Sequence, residues 1–237
     1  NLKKINPNLS EDEEKKIIKK MWNNYGMTFV EYIYLNKFRN TNLHINIEGK
    51  EILKKIILNN KPVIFISGHF ANFELMSMEL TKNKINLATI YRPLNNYFLN
   101  PFMEYLRKKY ICRNQIKKGI PGMKYLIEDL KNNRSIALMV DQRVSEGETI
   151  NFFDHPSLTT TLPAQIAIKY NCDIVPIYIS RNSNNNFNMK IYQPIEINDF
   201  KNRKKSKIEI TKKLNDITAS MISKDPSQWI LTHNRWK

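Results

Sequence analysis

Apolar residues in this chain are grouped in short runs, and between the runs lie longer stretches of mixed character. Val63–Ser67, Leu87–Tyr91, Ile136–Val140 and Ile174–Ser180 are apolar runs of strand length, a pattern that predicts strands buried in a sheet. Ala71–Lys82, Tyr97–Lys109, Pro121–Asn132 and Leu162–Tyr170 read as the helices between them, with Pro121 opening one of these. Tyr110–Cys112 and Thr149–Phe153 are weaker strand signals. Asn182–Asn186 reads as a hairpin loop leading into Asn188–Tyr192, and Lys207–Ser223 as a closing helix. Strands alternating with helices predict an α/β fold, with a mixed, mostly parallel sheet flanked by helices. No Gly/Pro/Ser-rich linker divides the 237 residues, so residues 1–237 read as a single domain.

Near the start, Ser10-Glu11-Asp12-Glu13 forms a capping box. The helix it opens carries Trp22, Tyr25, Phe29, Tyr32 and Ile33 as an apolar stripe. That stripe reads first as a core-facing surface; the alternative is that part of it meets lipid or an acyl chain. No run approaches the ~18 apolar residues that span a bilayer. Cys112 and Cys172 are far apart and in different predicted elements, so they read as small core residues in a reducing compartment.

The formal net charge of +16 favours a negatively charged partner: nucleic acid, an anionic membrane, or an acidic carrier or substrate. The cluster Lys201, Arg203, Lys204, Lys205 and Lys207 is the most obvious docking patch.

In open α/β sheets, sites lie beyond the carboxyl ends of strands. Gly68-His69, Arg92 and Asp141-Gln142-Arg143 each follow a predicted strand. If those strands are neighbours, His69, Arg92 and Asp141 approach one crevice. Glu74 lies five residues after His69, about 140° around a continuous helix. The two side chains meet only if His69 sits on the strand-to-helix turn. A carboxylate on one imidazole nitrogen fixes the tautomer and makes the other a base. By spacing alone this pair is weak evidence. A metal site is not expected, because His44, His155 and His233 are distant in sequence and no histidine follows at the spacing of a zinc helix.

Taken in order, several segments resemble one family. Ile47-Glu48-Gly49 is followed by Gly68-His69-Phe70-Ala71-Asn72-Phe73-Glu74, then by Tyr91-Arg92-Pro93 with Asn95-Asn96, and by Arg107 on the next helix. Lys118-Gly119-Ile120, Asp141-Gln142, Phe152-Phe153 and Thr159-Thr160 come next. Asp225-Pro226-Ser227-Gln228-Trp229, with His233, Arg235 and Trp236, closes the series. From about Asn46 to the end, the chain resembles the lipid A biosynthesis (lauroyl/myristoyl) acyltransferases of the lysophospholipid acyltransferase superfamily. Ala71 and Phe73 stand where that family often has Gly and Trp, Asp154 replaces a common Gly, and Ser227 replaces Glu. Ile230 and Leu231 interrupt a usual Trp-x-Trp.

The resemblance implies a glycerol-3-phosphate acyltransferase-like fold and an O-acyltransferase. An acyl chain would pass from acyl carrier protein thioester to a hydroxyl of a lipid A precursor, with His69 as general base and Glu74 orienting it. Arg92, Arg107, Asp141, Gln142 and Asn72 are expected to bind substrate or shape the site, with Arg107 and Asp141 paired or Arg107 on a lipid phosphate. Oxyanion donors are expected from backbone N–H groups near Phe70–Asn72 or from a nearby arginine. The Trp229–Trp236 segment is expected to pack as a helix on the core. No cofactor or metal is expected. The expected partners are acyl carrier protein, an anionic glycolipid acceptor and the cytoplasmic face of the inner membrane, with an anchor expected upstream of Asn1; no nucleic acid is expected. The rival readings are a same-family enzyme acting on another glycolipid or lysophospholipid, and a non-catalytic basic module that binds nucleic acid.

Overall fold

A computed structural model of the chain describes residues 1–200 and 203–236. In chain order it contains α1 (Leu2–Ile5), α2 (Glu11–Val30), a 3-10 turn (Glu31–Tyr34) and α3 (Leu35–Asn40). These lead into β1 (Ile45–Glu48), α4 (Lys50–Asn59), β2 (Ile64–Ser67), α5 (Glu74–Lys82), β3 (Leu87–Tyr91) and α6 (Leu99–Leu106). A π-helical turn (Arg107–Ile111) extends α6, and β4 (Asn114–Lys117), α7 (Ile120–Lys131) and β5 (Ser135–Met139) follow. The rest is β6 (Glu148–Phe152), β7 (His155–Thr159), α8 (Leu162–Tyr170), β8 (Ile174–Arg181), β9 (Phe187–Ile191) and α9 (Arg203–Lys224).

Seven strands form one sheet in the order β1-β9-β8-β2-β5-β3-β4, and β6 and β7 pair separately as a hairpin. Within the large sheet only β8 and β9 run antiparallel; the other neighbours are parallel. The expected mixed, mostly parallel α/β sheet is therefore present. β2, β5, β3 and β8 all end at one edge. The register pairs Ser67 with Met139, so His69 and Asp141, each two residues further on, emerge side by side.

Both faces of the sheet are covered, as the apolar strand runs require. On one face, Leu35, Leu53 and Leu75 from α3, α4 and α5 pack against Phe65, Val175 and Phe187. On the other, Leu126, Ile166, Ile210 and Leu214 from α7, α8 and α9 pack against Ile64, Ile136 and Ile174. A smaller cluster of Phe70, Phe152, Tyr178, Met221 and Trp229 ties the end of the chain to the segment after β2.

Some expectations change. The segment expected as one helix from Ala71 begins only at Glu74, because Ala71 takes a left-handed conformation at φ 43°. Tyr110–Cys112 is no strand: Tyr110 and Ile111 lie in the π-helical turn, and pairing with β3 begins at Asn114. The stripe on α2 is only partly covered, with Trp22, Phe29 and Ile33 half or more exposed. After a 3-10 turn at Pro226–Gln228, the described residues up to Trp236 form no further helix. Lys201 of the basic cluster lies outside the described residues, as do the side chains of Arg203, Lys204 and Lys205; Lys207 pairs with Glu148 at 2.7 Å. Among the described residues, no helix is long and apolar enough to cross a membrane. Cys112 and Cys172 are both buried thiols.

Candidate active site

Gly68 follows β2 and makes the turn that carries His69. A methyl group at Gly68 would lie 2.8 Å from the Phe70 ring and 3.2 Å from the Asp141 Cβ, so the close approach of the two strand ends requires glycine here. The chain then reverses through Ala71 before α5 starts at Glu74.

This turn is held from two sides. The closing segment meets it through an isolated antiparallel bridge. Phe70 bridges Trp229, the Ala71 N–H donates to the Gln228 carbonyl at 2.8 Å, and the Ile230 N–H donates to the His69 carbonyl at 3.1 Å. From α2 and the turn after it, Thr28 donates to the Ala71 carbonyl at 3.1 Å and Glu31 accepts from the Asn72 amide at 2.9 Å. Glu31 is in turn ion-paired with Arg181 at the end of β8. Asn72 is fully buried behind the turn, so it shapes the site from below.

His69 has one direct carboxylate partner, and it is Asp141. Nδ1 lies 2.8 Å from Asp141 Oδ1, and the His69 backbone N–H donates to Oδ2 at 3.0 Å. Trp229 Nε1 donates to Oδ2 at 2.7 Å. Asp141 is 1% exposed. Burial opposes its ionisation, but His69, through charge and hydrogen bonds, and the Trp229 N–H hold its carboxyl below the usual value. A carboxylate accepts only, so Nδ1 carries the proton and Nε2 is left as the basic nitrogen. Burial lowers the pKa of the ring, but the charge and hydrogen bond of Asp141, helped by the Glu74 charge, outweigh it, and the net shift is upward; Arg107 opposes them. Phe73 packs edge-on to the ring at 4.9 Å.

Glu74 was expected in the place Asp141 occupies. It is instead the first residue of α5, beyond the reversal at Ala71, and all its hydrogen-bond donors come from elsewhere. Arg107 Nε and Nη2 donate to Glu74 Oε1 at 2.8 and 2.5 Å, and Tyr32 Oη donates to the same oxygen at 2.5 Å. The expected Arg107–Asp141 pairing is thus replaced by two separate pairs, Arg107–Glu74 and His69–Asp141. Burial and the neighbouring Glu74 charge push the Tyr32 hydroxyl well up. Burial depresses the Arg107 guanidinium, but Glu74 and Tyr32 more than restore it.

A cleft of about 290 Å³ opens at this edge of the sheet. His69, Glu74, Arg92, Arg107 and Gln142 all line it, so the structure brings these expected residues together. Its apolar lining includes Phe73, Met76, Ile111, Leu138 and Met139, and Lys118 and Arg143 add to its cations. Asp141 and Asn72 stand behind the wall. Sequence reasoning placed Tyr32 only in the apolar stripe, and it put Arg143 beyond a strand end without giving it a role. Among the described residues, Arg143 Nε is buried without a hydrogen-bond partner, and its sequence signal was its place in Asp141-Gln142-Arg143 after a predicted strand. The backbone donors expected for an oxyanion are engaged at Phe70, which bonds the Gly68 carbonyl at 2.9 Å, and at Ala71.

A base held by a buried carboxylate, at the edge of a parallel sheet and beside several cations, is suited to acting on a hydroxyl of an anionic substrate. The model of the bacterial lipid A biosynthesis acyltransferases matches residues 1–237, and the chain belongs to that family. It is therefore an acyltransferase acting on a lipid. Among solved structures, it is similar to the crystal structure of the 1-acyl-sn-glycerophosphate acyltransferase from Thermotoga maritima. The identity is 17% and the TM-score 0.42, over 88% of this chain and 83% of that one. No curated protein sequence matches this chain.

Proposed function

We propose that this protein transfers a fatty acyl chain from an acyl carrier protein thioester to a hydroxyl of a lipid A precursor, at the cytoplasmic face of the inner membrane. The observation that carries the reading is the 2.8 Å contact between His69 Nδ1 and the buried Asp141, in a cleft lined both by apolar side chains and by Arg92, Arg107, Lys118 and Arg143. The apolar lining suits an acyl chain. Arg92, Lys118 and Arg143 suit the phosphates of an anionic glycolipid. The net charge of +16 suits an acidic carrier.

Nε2 of His69 takes the proton of the acceptor hydroxyl as its oxygen attacks the thioester carbonyl. Asp141 holds the ring and stabilises the imidazolium. The tetrahedral intermediate collapses, the C–S bond breaks, and the thiolate leaves with the proton from His69. No acyl-enzyme is needed. With the Phe70 and Ala71 N–H groups engaged, the oxyanion donor assigned here is the Arg143 guanidinium, which lines the cleft. Glu74 and Tyr32 fix Arg107 in the cleft wall, where it is a positioning residue.

The test is to incubate purified protein with acyl carrier protein thioesters and a panel of acceptors. Acyl transfer to the lipid A precursor is the expected result. Transfer to a lysophospholipid alone would replace the acceptor and keep the chemistry. No transfer at all, with salt-sensitive nucleic-acid binding in its place, would overturn the reading.

A further inference from the structure

Close in sequence to two residues of the cleft lining, Arg92 and Lys118, stand strongly exposed apolar side chains. Past β3, the chain runs from cleft-lining Arg92 into a loop that folds back on itself, with the Leu94 N–H donating to Asn100 Oδ1 at 2.7 Å. At the tip of that loop, Tyr97 is 90% exposed and Phe98 is 96% exposed. Phe102, on the first turn of α6, is 56% exposed. Past β4, the Lys118 N–H donates to the Tyr91 carbonyl at 2.8 Å, which sets the ends of β3 and β4 side by side. Two residues later stands Ile120, 90% exposed. These four residues come from the β3–α6 connection and the first turns of α6 and α7, which follow β3 and β4 at the same sheet edge as His69.

Cations are interleaved with them. Arg92 and Lys118, on the two connections, and Lys117 and Lys124, at the end of β4 and on α7, are all exposed. The carboxylate between them, Glu104, accepts from Asn100 at 2.8 Å and faces Lys117 at 3.5 Å, so the rim remains cationic. Single aromatic and aliphatic side chains standing out from loops among lysines match the boundary layer of a bilayer, where rings sit at headgroup depth and lysines meet anionic lipid. The core of a protein–protein interface is depleted in charged residues, whereas these apolar side chains stand among Arg92 and three exposed lysines.

We propose that Tyr97, Phe98, Phe102 and Ile120, with the lysines beside them, dock the chain on an anionic phospholipid bilayer so that the His69 cleft opens onto the headgroup layer. The proposal rests on the reading of the protein as a lipid acyltransferase. The second exposed apolar face is a groove of about 640 Å³ on α2, lined by Trp22, Val30 and Tyr34, and it serves as the internal control.

The experiment is co-sedimentation of the purified chain with vesicles of phosphatidylcholine, with and without about a third phosphatidylglycerol. Wild type is expected to bind the anionic vesicles and to release as salt rises. Tyr97→Ser/Phe98→Ser should weaken partitioning at least tenfold. Lys117→Gln/Lys124→Gln should weaken it by roughly fivefold per lysine near the surface. The Tyr97/Phe98 variant should keep transfer to a detergent-solubilised acceptor while losing transfer to an acceptor embedded in vesicles. Wild-type partitioning in that variant, equal binding to neutral vesicles, or loss confined to a Trp22→Ser/Val30→Ser variant would overturn the proposal. Self-association through the rim, seen as a dimer that Phe98→Ser dissolves without any change in vesicle binding, would do the same. If no acyl transfer is found in any assay but vesicle binding depends on Tyr97 and Phe98, the docking surface stands and the catalytic reading fails.

Discussion

Replacing Asp141 with Asn changes one atom and should remove the base without removing the fold. Asp141 accepts from three donors: Nδ1 of His69 on Oδ1, and the His69 backbone N–H and Trp229 Nε1 on Oδ2. An asparagine has one acceptor oxygen. If that oxygen keeps the two donors at Oδ2, its NH2 group faces Nδ1, which must then accept. The proton moves to Nε2, and the ring is no longer a base towards the cleft. The opposite orientation leaves two buried donors unpaired at about 1–3 kcal/mol each, so the first is favoured. General-base catalysis contributes about 10²–10⁴ in rate, and the same tautomer inversion in a serine-protease triad costs about 10⁴. Acyl transfer should therefore fall by roughly 10²–10⁴, while the melting temperature moves by only a few degrees. The pH profile adds a sign. Activity requires neutral His69, whose pKa is raised chiefly by Asp141 against the opposing effect of burial. In Asp141→Asn the raising charge is lost and the burial remains, so the acid limb of the residual activity should move to lower pH. A rate within threefold of wild type, or an acid limb that stays in place, would refute the assignment.

Other substitutions separate the two carboxylate sites. Arg107→Met leaves Glu74 buried without its cation and should destabilise the protein by about 3–5 kcal/mol in urea unfolding. Because Arg107 opposes protonation of His69, the acid limb should move to higher pH, opposite to its movement in Asp141→Asn. Trp229→Phe keeps a ring in the buried cluster but removes one donor to Asp141, and should cost about 1.5–3 kcal/mol in thermal unfolding. Ala71→Val puts a β-branched side chain at φ 43° in a buried turn; a loss of about 1–3 kcal/mol is expected, along with slower transfer. Ala71→Gly should stay within about 1 kcal/mol of wild type.

The two carboxylate sites differ in how much of them the sequence could reveal. Strands with long apolar runs and the helices between them were legible because burial on both faces leaves a continuous signature. Leu87–Tyr91 and Leu162–Tyr170 match to the residue. The strands at the two sheet margins were not legible. Ile45–Glu48 and Asn114–Lys117 are edge strands of four residues with half-exposed polar positions, and such a pattern looks like loop. His69 was legible as the residue after a buried strand and a glycine. Its partner was not, because the partner depends on which strands are neighbours. Asp141 is 72 residues away and is brought alongside by the β2–β5 register alone. Glu74 was near in sequence, but Ala71 reverses the chain between the two residues, and no helical spacing carries across a left-handed turn. The α2 stripe misled for a related reason. Spacing shows that a helix has an apolar face but leaves open what covers it, and here Trp22 and Ile33 face outward.

The most direct test of the central claim is acyl transfer by His69→Ala, measured on purified protein whose fold is checked by circular dichroism. If His69 is the general base, a folded His69→Ala protein should bind its substrates and transfer the acyl chain about 10²–10⁴ times more slowly than wild type. Full activity in that folded variant would contradict the account.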